Sequence, residues 1–294
     1  MPRKSIALLL RAPSDSEEDK YEVQFKTSGY NSFSIPVLET VLTNIDDLRK
    51  TLVEGSGGYH GVIITSARAC AAWKDAVKSL DIASECSESW QSKTFYVVGH
   101  GTGSSLSEIY TQYPNSPFVP NPSLIKGQDC GNADQLGRFI LEDLQSKPAR
   151  LLYLTGDKNR DTLPNILQEG NVDFHPLKVY ETQGSSNFSR DLAAAIQAAR
   201  KDHADELRWW IIFFAPSAAQ FVLPFIREHF ELLDQARNPS SEASSPLALV
   251  ASIGPTTDTY LRETLHLHVD AMAAKPTPEA LVSVIVEADS KSSL

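Results

Sequence analysis

The sequence predicts an α/β protein of two similar domains, each a parallel sheet flanked by helices, joined by a two-stranded linker. Three observations carry this expectation. Apolar, β-prone runs alternate with helical stripes along the whole chain, the order of right-handed βαβ units on parallel sheets. Points where a strand end passes into a helix start recur: Ser66 and Ala215 lie 149 positions apart, Gly99 and Gly254 155, Asn132 and Thr277 145. Two β-prone stretches, Ser34-Ile35-Pro36-Val37-Leu38 and Leu177-Lys178-Val179-Tyr180-Glu181-Thr182, stand where one half of the plan gives way to the other. Pro176 restricts the backbone ahead of the second. The expected partition puts residues 1–36 and 183–294 in one discontinuous domain and residues 38–177 in the other. The linker strands fall at about 34–38 and 178–182, and 294 residues suffice for two separate cores.

Residues 6–10 form a continuous apolar run of the kind found in strands covered on both faces. Ser14-x-x-Glu17 has capping-box spacing, Tyr21 and Phe25 share a helix face, and Gly29 sits where that helix would stop. Residues 33–38 then read as one strand leaving for the other domain. A short helix over 46–52 leads to a strand at 62–65, with Ser66 as N-cap of a helix whose stripe is Ala69, Ala72, Trp73, Ala76, Val77 and Leu80. Residues 94–98 make a strand followed by a turn at Gly99-His100-Gly101-Thr102-Gly103. Asn132 caps a helix with Leu136, Phe139, Ile140 and Leu144 inward. A strand at 151–154, a helix at 161–169 closed by Gly170, and the crossing strand at 174–182 complete this half.

In the second half Ser189 is placed as a cap, with Leu192, Ala195, Ile196 and Ala199 inward. Residues 210–214 are a strand, followed by a helix in which Pro224 should produce a kink. The Ser-rich residues 238–246 read as a disordered loop. A strand at 247–253, a turn at Gly254-Pro255-Thr256-Thr257 and a helix opened by Thr277-Pro278-Glu279 follow.

A formal charge of −10 leaves no basic stripe to neutralise phosphates, which argues against nucleic acid. It does not exclude an anionic ligand, because helix N-termini and backbone N–H groups hold anions without Lys or Arg. No apolar stretch approaches the roughly 20 residues of a membrane helix. Pro2-Arg3-Lys4 ahead of residues 6–10 faintly imitates an export signal, but the apolar run is short and Arg11 closes it, so a first strand is the reading. Cys70, Cys86 and Cys130 have no metal-ligand spacing and point to free thiols in a reducing compartment. A cytoplasmic monomer is expected.

Ligands of parallel sheets bind beyond the carboxyl ends of the strands. Those ends carry Thr65, Ser66 and Arg68; Gly99 and Thr102; Ala215 and Ser217; and Gly254, Thr256 and Thr257. Such a lining offers N–H donors and hydroxyls, suited to carboxylates or phosphates. Each residue alone is also what an ordinary helix cap provides. Arg68, Lys158 and Arg160 lie close enough to strand ends to meet an anion, although a solvated face is the default reading of any one of them. The nucleophile elbow, P-loop, dinucleotide fingerprint and zincin motifs are absent. His266 and His268 would share a strand face but lack a third ligand, so no metal site is expected.

An ordered set of short motifs runs from first strand to last helix. It comprises Ile63-Ile64-Thr65-Ser66-x-Arg68-Ala69, Val97-Val98-Gly99-x-x-Thr102 and Gly156-x-x-x-Arg160-x-x-Leu163-Pro164. Val179-Tyr180-Glu181-Thr182, Phe213-Phe214-x-Pro216-Ser217, Ile253-Gly254-Pro255-Thr256-Thr257 and Pro276-Thr277-Pro278-Glu279-Ala280-Leu281 complete it. The set resembles the uroporphyrinogen-III synthase family. It departs at Ala67, where many members have Pro, and at Ala215, where a capping Ser is common. The resemblance implies that linear hydroxymethylbilane loses water, inverts its last pyrrole ring and closes to uroporphyrinogen III in haem biosynthesis. It also implies that no metal or cofactor takes part, that the tetrapyrrole binds in a cleft between two domains, and that Tyr180 matches a tyrosine facing it. Tyr180 is therefore the candidate proton donor to the departing hydroxyl. A different class, a two-domain solute-binding protein that does no chemistry, shares the two-crossing plan, and turnover of hydroxymethylbilane separates the two.

Overall fold

Along the chain, β1 (Ser5–Leu10), α1 (Lys20–Thr27) and β2 (Asn31–Ser34) come first. There follow β3 (Leu38–Leu42), α2 (Ile45–Glu54), β4 (Gly61–Ile64), α3 (Ala67–Ser79), β5 (Thr94–Val97) and α4 (Gly99–Gln112). Then come β6 (Ile125–Lys126), α5 (Ala133–Leu144), β7 (Arg150–Gly156), α6 (Thr162–Glu169) and β8 (Asp173–Gly184). The remainder is α7 (Phe188–Lys201), β9 (Arg208–Phe213), α8 (Pro216–Arg227), β10 (Ala248–Ser252), α9 (Pro255–Thr259), a π-helical turn (Tyr260–Thr264), β11 (Ala271–Met272) and α10 (Pro278–Lys291). The computed structural model describes residues 4–14, 18–80, 88–145, 148–201, 207–234 and 245–291. Two compact units result: unit 1 is Met1–Glu39 with Gln183–Leu294, and unit 2 is Thr40–Thr182.

The sheet of unit 1 runs β11-β10-β9-β1-β2, and each strand pair in it is parallel. β1 lies between β2 and β9, with Leu8 beside Phe33 on one side and Ile211 on the other. Its apolar run is continuous because both faces are covered. Ile6, Leu8 and Leu10 join Leu192 and Ile196 of α7 and Val222 of α8, whereas Ala7 and Leu9 join Phe25 of α1 and Leu281 and Ile285 of α10.

Unit 2 is built on the strand order β3-β8-β7-β4-β5-β6. Val62 and Ile64 of β4 pack with Leu48 of α2, Trp73 of α3 and Leu106 of α4, while Ile63 packs with Leu136 and Ile140 of α5 and Leu163 of α6. The two buried indoles are satisfied by carbonyls: Trp73 Nε1 donates to Phe118 and Trp90 Nε1 to Leu52, both at 3.0 Å. That makes them fixed struts of this core.

Several local expectations are corrected. α1 is capped by Asp19, which accepts from the Tyr21 and Glu22 N–H groups at 3.0 and 3.2 Å. An acceptor-only carboxylate five residues on takes the role expected of Ser14, and Glu17 lies outside the described residues. The strand expected at 33–38 is two strands, β2 and β3, broken at Ile35-Pro36-Val37, where Pro36 has no N–H for a ladder. Gly99 to Gly103 open helix α4, because the stripe Thr102, Leu106 and Ile109 behind them can be buried as helix turns. Likewise Pro255 to Thr257 are helical and belong to α9. Ser189 lies inside α7, whose start is set by Ser185: its hydroxyl accepts from Asn187 N–H and its carbonyl from Phe188 N–H. His266 and His268 are not on a strand, and His266 takes a positive φ of 55°. Residues 238–244 of the Ser-rich loop lie outside the described residues. No described helix is long and apolar enough to cross a membrane.

Candidate active site

In unit 2 the carboxyl ends of β4, β7 and β8 place four of the expected residues together. Ser66 ends the β4 turn in extended backbone, and its Oγ accepts the Ala69 N–H at 3.2 Å, capping α3. The same hydroxyl donates to Tyr180 Oη at 3.2 Å. One turn on, the Arg68 guanidinium carbon lies 5.6 Å from the centre of the Tyr180 ring, within cation–π range. Thr65, between β4 and Ser66, is a hydrogen-bond partner of the Tyr153 hydroxyl, which also accepts from Asn159 Nδ2 at 2.9 Å. Burial pushes the Tyr153 phenol up, against the hydrogen bonds from Asn159 and Thr65.

Tyr180 reaches this point because of an irregularity in the β7–β8 ladder. Thr155 pairs with Lys178, but the next residue, Gly156, pairs with Tyr180, so Val179 is the extra residue. Such a bulge re-aims the side chain that follows it. Val179 is buried in the unit 2 core, and Tyr180 is only partly covered. Gly156 is needed there: a Cβ built on it would lie 2.3 Å from Tyr180 Cε2 and 2.8 Å from its hydroxyl oxygen.

The other expected residues of unit 2 are arranged differently. Gly99 has a φ of +78° at the start of α4, which suits glycine, and Thr102 is buried, its carbonyl accepting from Cys70 Sγ at 3.7 Å. Arg160 is exposed on the loop between β7 and α6, next to Asn159. In unit 1, Ser217 is exposed in the first turn of α8, Thr256 is exposed on α9, and Gly254 and Thr257 are buried. Ala215 caps α8 without a side-chain hydrogen bond.

Sequence reasoning missed Tyr153 and Asn159 in unit 2 and Arg11 in unit 1, and it had Gly156 only as a motif position with no role beside Tyr180. Arg11 follows β1, bonds both oxygens of Asp19 at 2.9 and 2.8 Å, and lies over the rings of Tyr21 and Phe214. Its place directly after a buried strand was the available signal. Among the described residues no group of three or more His, Cys, Asp or Glu side chains could hold a metal ion.

The model of the family described as uroporphyrinogen-III synthase HemD matches residues 19–283. This chain belongs to the uroporphyrinogen-III synthase family. It is 30% identical over 291 residues to the uroporphyrinogen-III synthase of Schizosaccharomyces pombe, covering 98% of each chain. With the enzyme of that name from Saccharomyces cerevisiae it shares 25% over 290 residues, 96% of each. The uroporphyrinogen-III synthetase structure from Helicobacter pylori aligns over 97% of this chain and 99% of its own, at 17% identity and a TM-score of 0.43. Membership of the uroporphyrinogen-III synthase family makes the chain a lyase of haem biosynthesis.

Proposed function

We propose that this chain converts hydroxymethylbilane to uroporphyrinogen III, closing the macrocycle with inversion of the last pyrrole ring and loss of water. The observation that carries the reading is the phenol of Tyr180, held by Ser66, Arg68 and the space at Gly156 at the carboxyl edge of a parallel sheet. Hydroxide leaves poorly from carbon, so the departing oxygen needs a proton. A phenol with a reference pKa of about 10 is protonated at neutral pH and can donate one. Water departs with the C–O bonding electrons, and the freed carbon bonds the substituted α-carbon of the last ring. The bridge bond at that carbon breaks and is remade at the ring's free α-carbon, and the proton shed there restores the phenol. Nothing further is consumed. The pyrrole electrons supply the drive, and the protein's task is to hold the chain folded for attack.

The substrate carries eight carboxylates and the protein is acidic, so local donors must hold them. In this reading the donors are backbone N–H groups at the first turns of α3, α4 and α8 and at Gly254. The hydroxyls of Thr102, Ser217, Thr256 and Thr257 and the exposed cations Arg68 and Arg160 assist. The enzyme is taken as a cytoplasmic monomer that uses no cofactor.

The test is to incubate the purified protein with freshly made hydroxymethylbilane, oxidise, and separate the uroporphyrin isomers chromatographically. Uroporphyrin III in excess of a protein-free control is expected. Isomer I alone, the product of closure without inversion, would overturn the proposal, and unchanged bilane held in stoichiometric complex would mark a binding protein.

A further inference from the structure

We infer that Ser66 is a positioning residue, whose hydroxyl aims the Tyr180 phenol and does not itself bind substrate. A serine hydroxyl has one proton and two acceptor sites. One acceptor site of Ser66 takes the Ala69 N–H at 3.2 Å, and the only proton goes to Tyr180 Oη at 3.2 Å. A substrate carboxylate is acceptor-only and needs a donor, and Ser66 has none left while it holds Tyr180. The same inventory frees Tyr180. Its oxygen accepts from Ser66, so its own O–H is not spent on the serine and stays available.

The surroundings make this an orienting contact. Ser66 is itself fixed by capping α3, so the proton it offers is referenced to a helix of 13 residues. The phenol end of the ring occupies the space left by Gly156, and Arg68, from the first turn of that helix, lies over the ring. The β4–α3 turn thus contacts Tyr180 twice, once at its oxygen and once at its ring. If the phenol passes its proton on, the oxygen becomes a stronger acceptor and the Ser66 bond strengthens as charge develops, the pattern of a group that helps most in the transition state.

The inference rests on the proposed reaction only for the identity of the substrate. Its test uses Ser66→Ala, Ser66→Gly and Ser66→Thr in the full chain. Glycine keeps most of the N-cap strength without a hydroxyl, so a folding defect from lost capping is separated from loss of the aiming bond. Threonine restores the hydroxyl. Loss of one hydrogen bond corresponds to roughly a 2- to 10-fold effect. Ser66→Ala and Ser66→Gly should each lower kcat by about that factor with KM little changed, Ser66→Thr should recover it, and neither loss should persist in a Tyr180→Phe background. With 13Cζ-labelled tyrosine, the Tyr180 resonance should move in Ser66→Gly and return in Ser66→Thr. A raised KM at constant kcat, an equal loss in both backgrounds, or an unmoved resonance would each overturn the inference. If the wild-type chain makes no uroporphyrinogen III, the proposed function fails, and the resonance alone still decides whether Ser66 aims Tyr180.

Discussion

Gly156 shows how little separates a working side chain from a displaced one. Any side chain there meets the end of the Tyr180 ring, which already occupies the volume of a Cβ, so the ring must shift to admit one. Gly156→Ala must displace the phenol from its place beside Ser66, so turnover should fall by roughly the 2- to 10-fold of one lost hydrogen bond or more, while the circular dichroism spectrum is retained. An alanine variant with wild-type kcat would show that the ring's place is immaterial. Tyr180→Phe keeps the ring and deletes the proton, and general-acid help is worth about 10²–10⁴-fold. A folded Tyr180→Phe enzyme with near wild-type turnover would leave the residue as a strut. At Asp19 burial alone would raise the carboxyl, but hydrogen bonds from Arg11 and from the Ser14 and Glu22 N–H groups, with the Arg11 charge, bring it below the usual carboxylate range. A depressed folded value stabilises the fold above the unfolded pKa, and that share is lost as pH falls through the folded value. Asp19→Asn should therefore lower Tm clearly at pH 7 and by less at a pH below the reference value of a free aspartate, about 3.9. Equal losses at both would remove the charge from the explanation.

Helix starts carry the next prediction. Ser66 and Ala215 have nearly the same extended backbone, φ −149°, ψ 152° and φ −154°, ψ 146°, yet only Ser66 offers a capping oxygen. Ala215→Ser should then stabilise unit 1 by about 0.5–2 kcal/mol, read from denaturant midpoints. No gain would mean that the α8 N–H groups are already satisfied. Features of this local kind were legible in the sequence. The apolar run of β1 reported a strand covered on both faces, and Asn132 and Thr277 reported the caps of α5 and α10, where they accept from Gln135 and Ala280. β6 and β11, two residues each, left no periodicity to read, because neighbouring strands define them. The glycines opening α4 disguised a helix as a turn. Of the site, Ser66, Arg68 and Tyr180 were visible as strand-end residue types or motif positions. Their meeting was not, since it depends on the β7–β8 bulge, and no local pattern places Gly156 opposite Tyr180.

At the scale of the whole molecule, the four core clusters divide between the units. Two draw only on unit 1 and two only on unit 2. Each unit also holds two of the four tryptophans, Trp209 and Trp210 in unit 1, Trp73 and Trp90 in unit 2. A core that closes on itself can unfold by itself, so one unfolding free energy need not describe this chain. Leu48 is fully buried among the α2, α3 and β4 side chains of unit 2. Cutting a buried Leu to Ala costs about 2–5 kcal/mol. In a Trp209→Phe/Trp210→Phe background, where fluorescence reports unit 2, Leu48→Ala should lower the unfolding free energy by that amount, read as a fall in the urea midpoint at unchanged slope. In a Trp73→Phe/Trp90→Phe background, where it reports unit 1, the same substitution should leave the midpoint in place. Coincident shifts in both backgrounds would show that the two cores melt as one cooperative body.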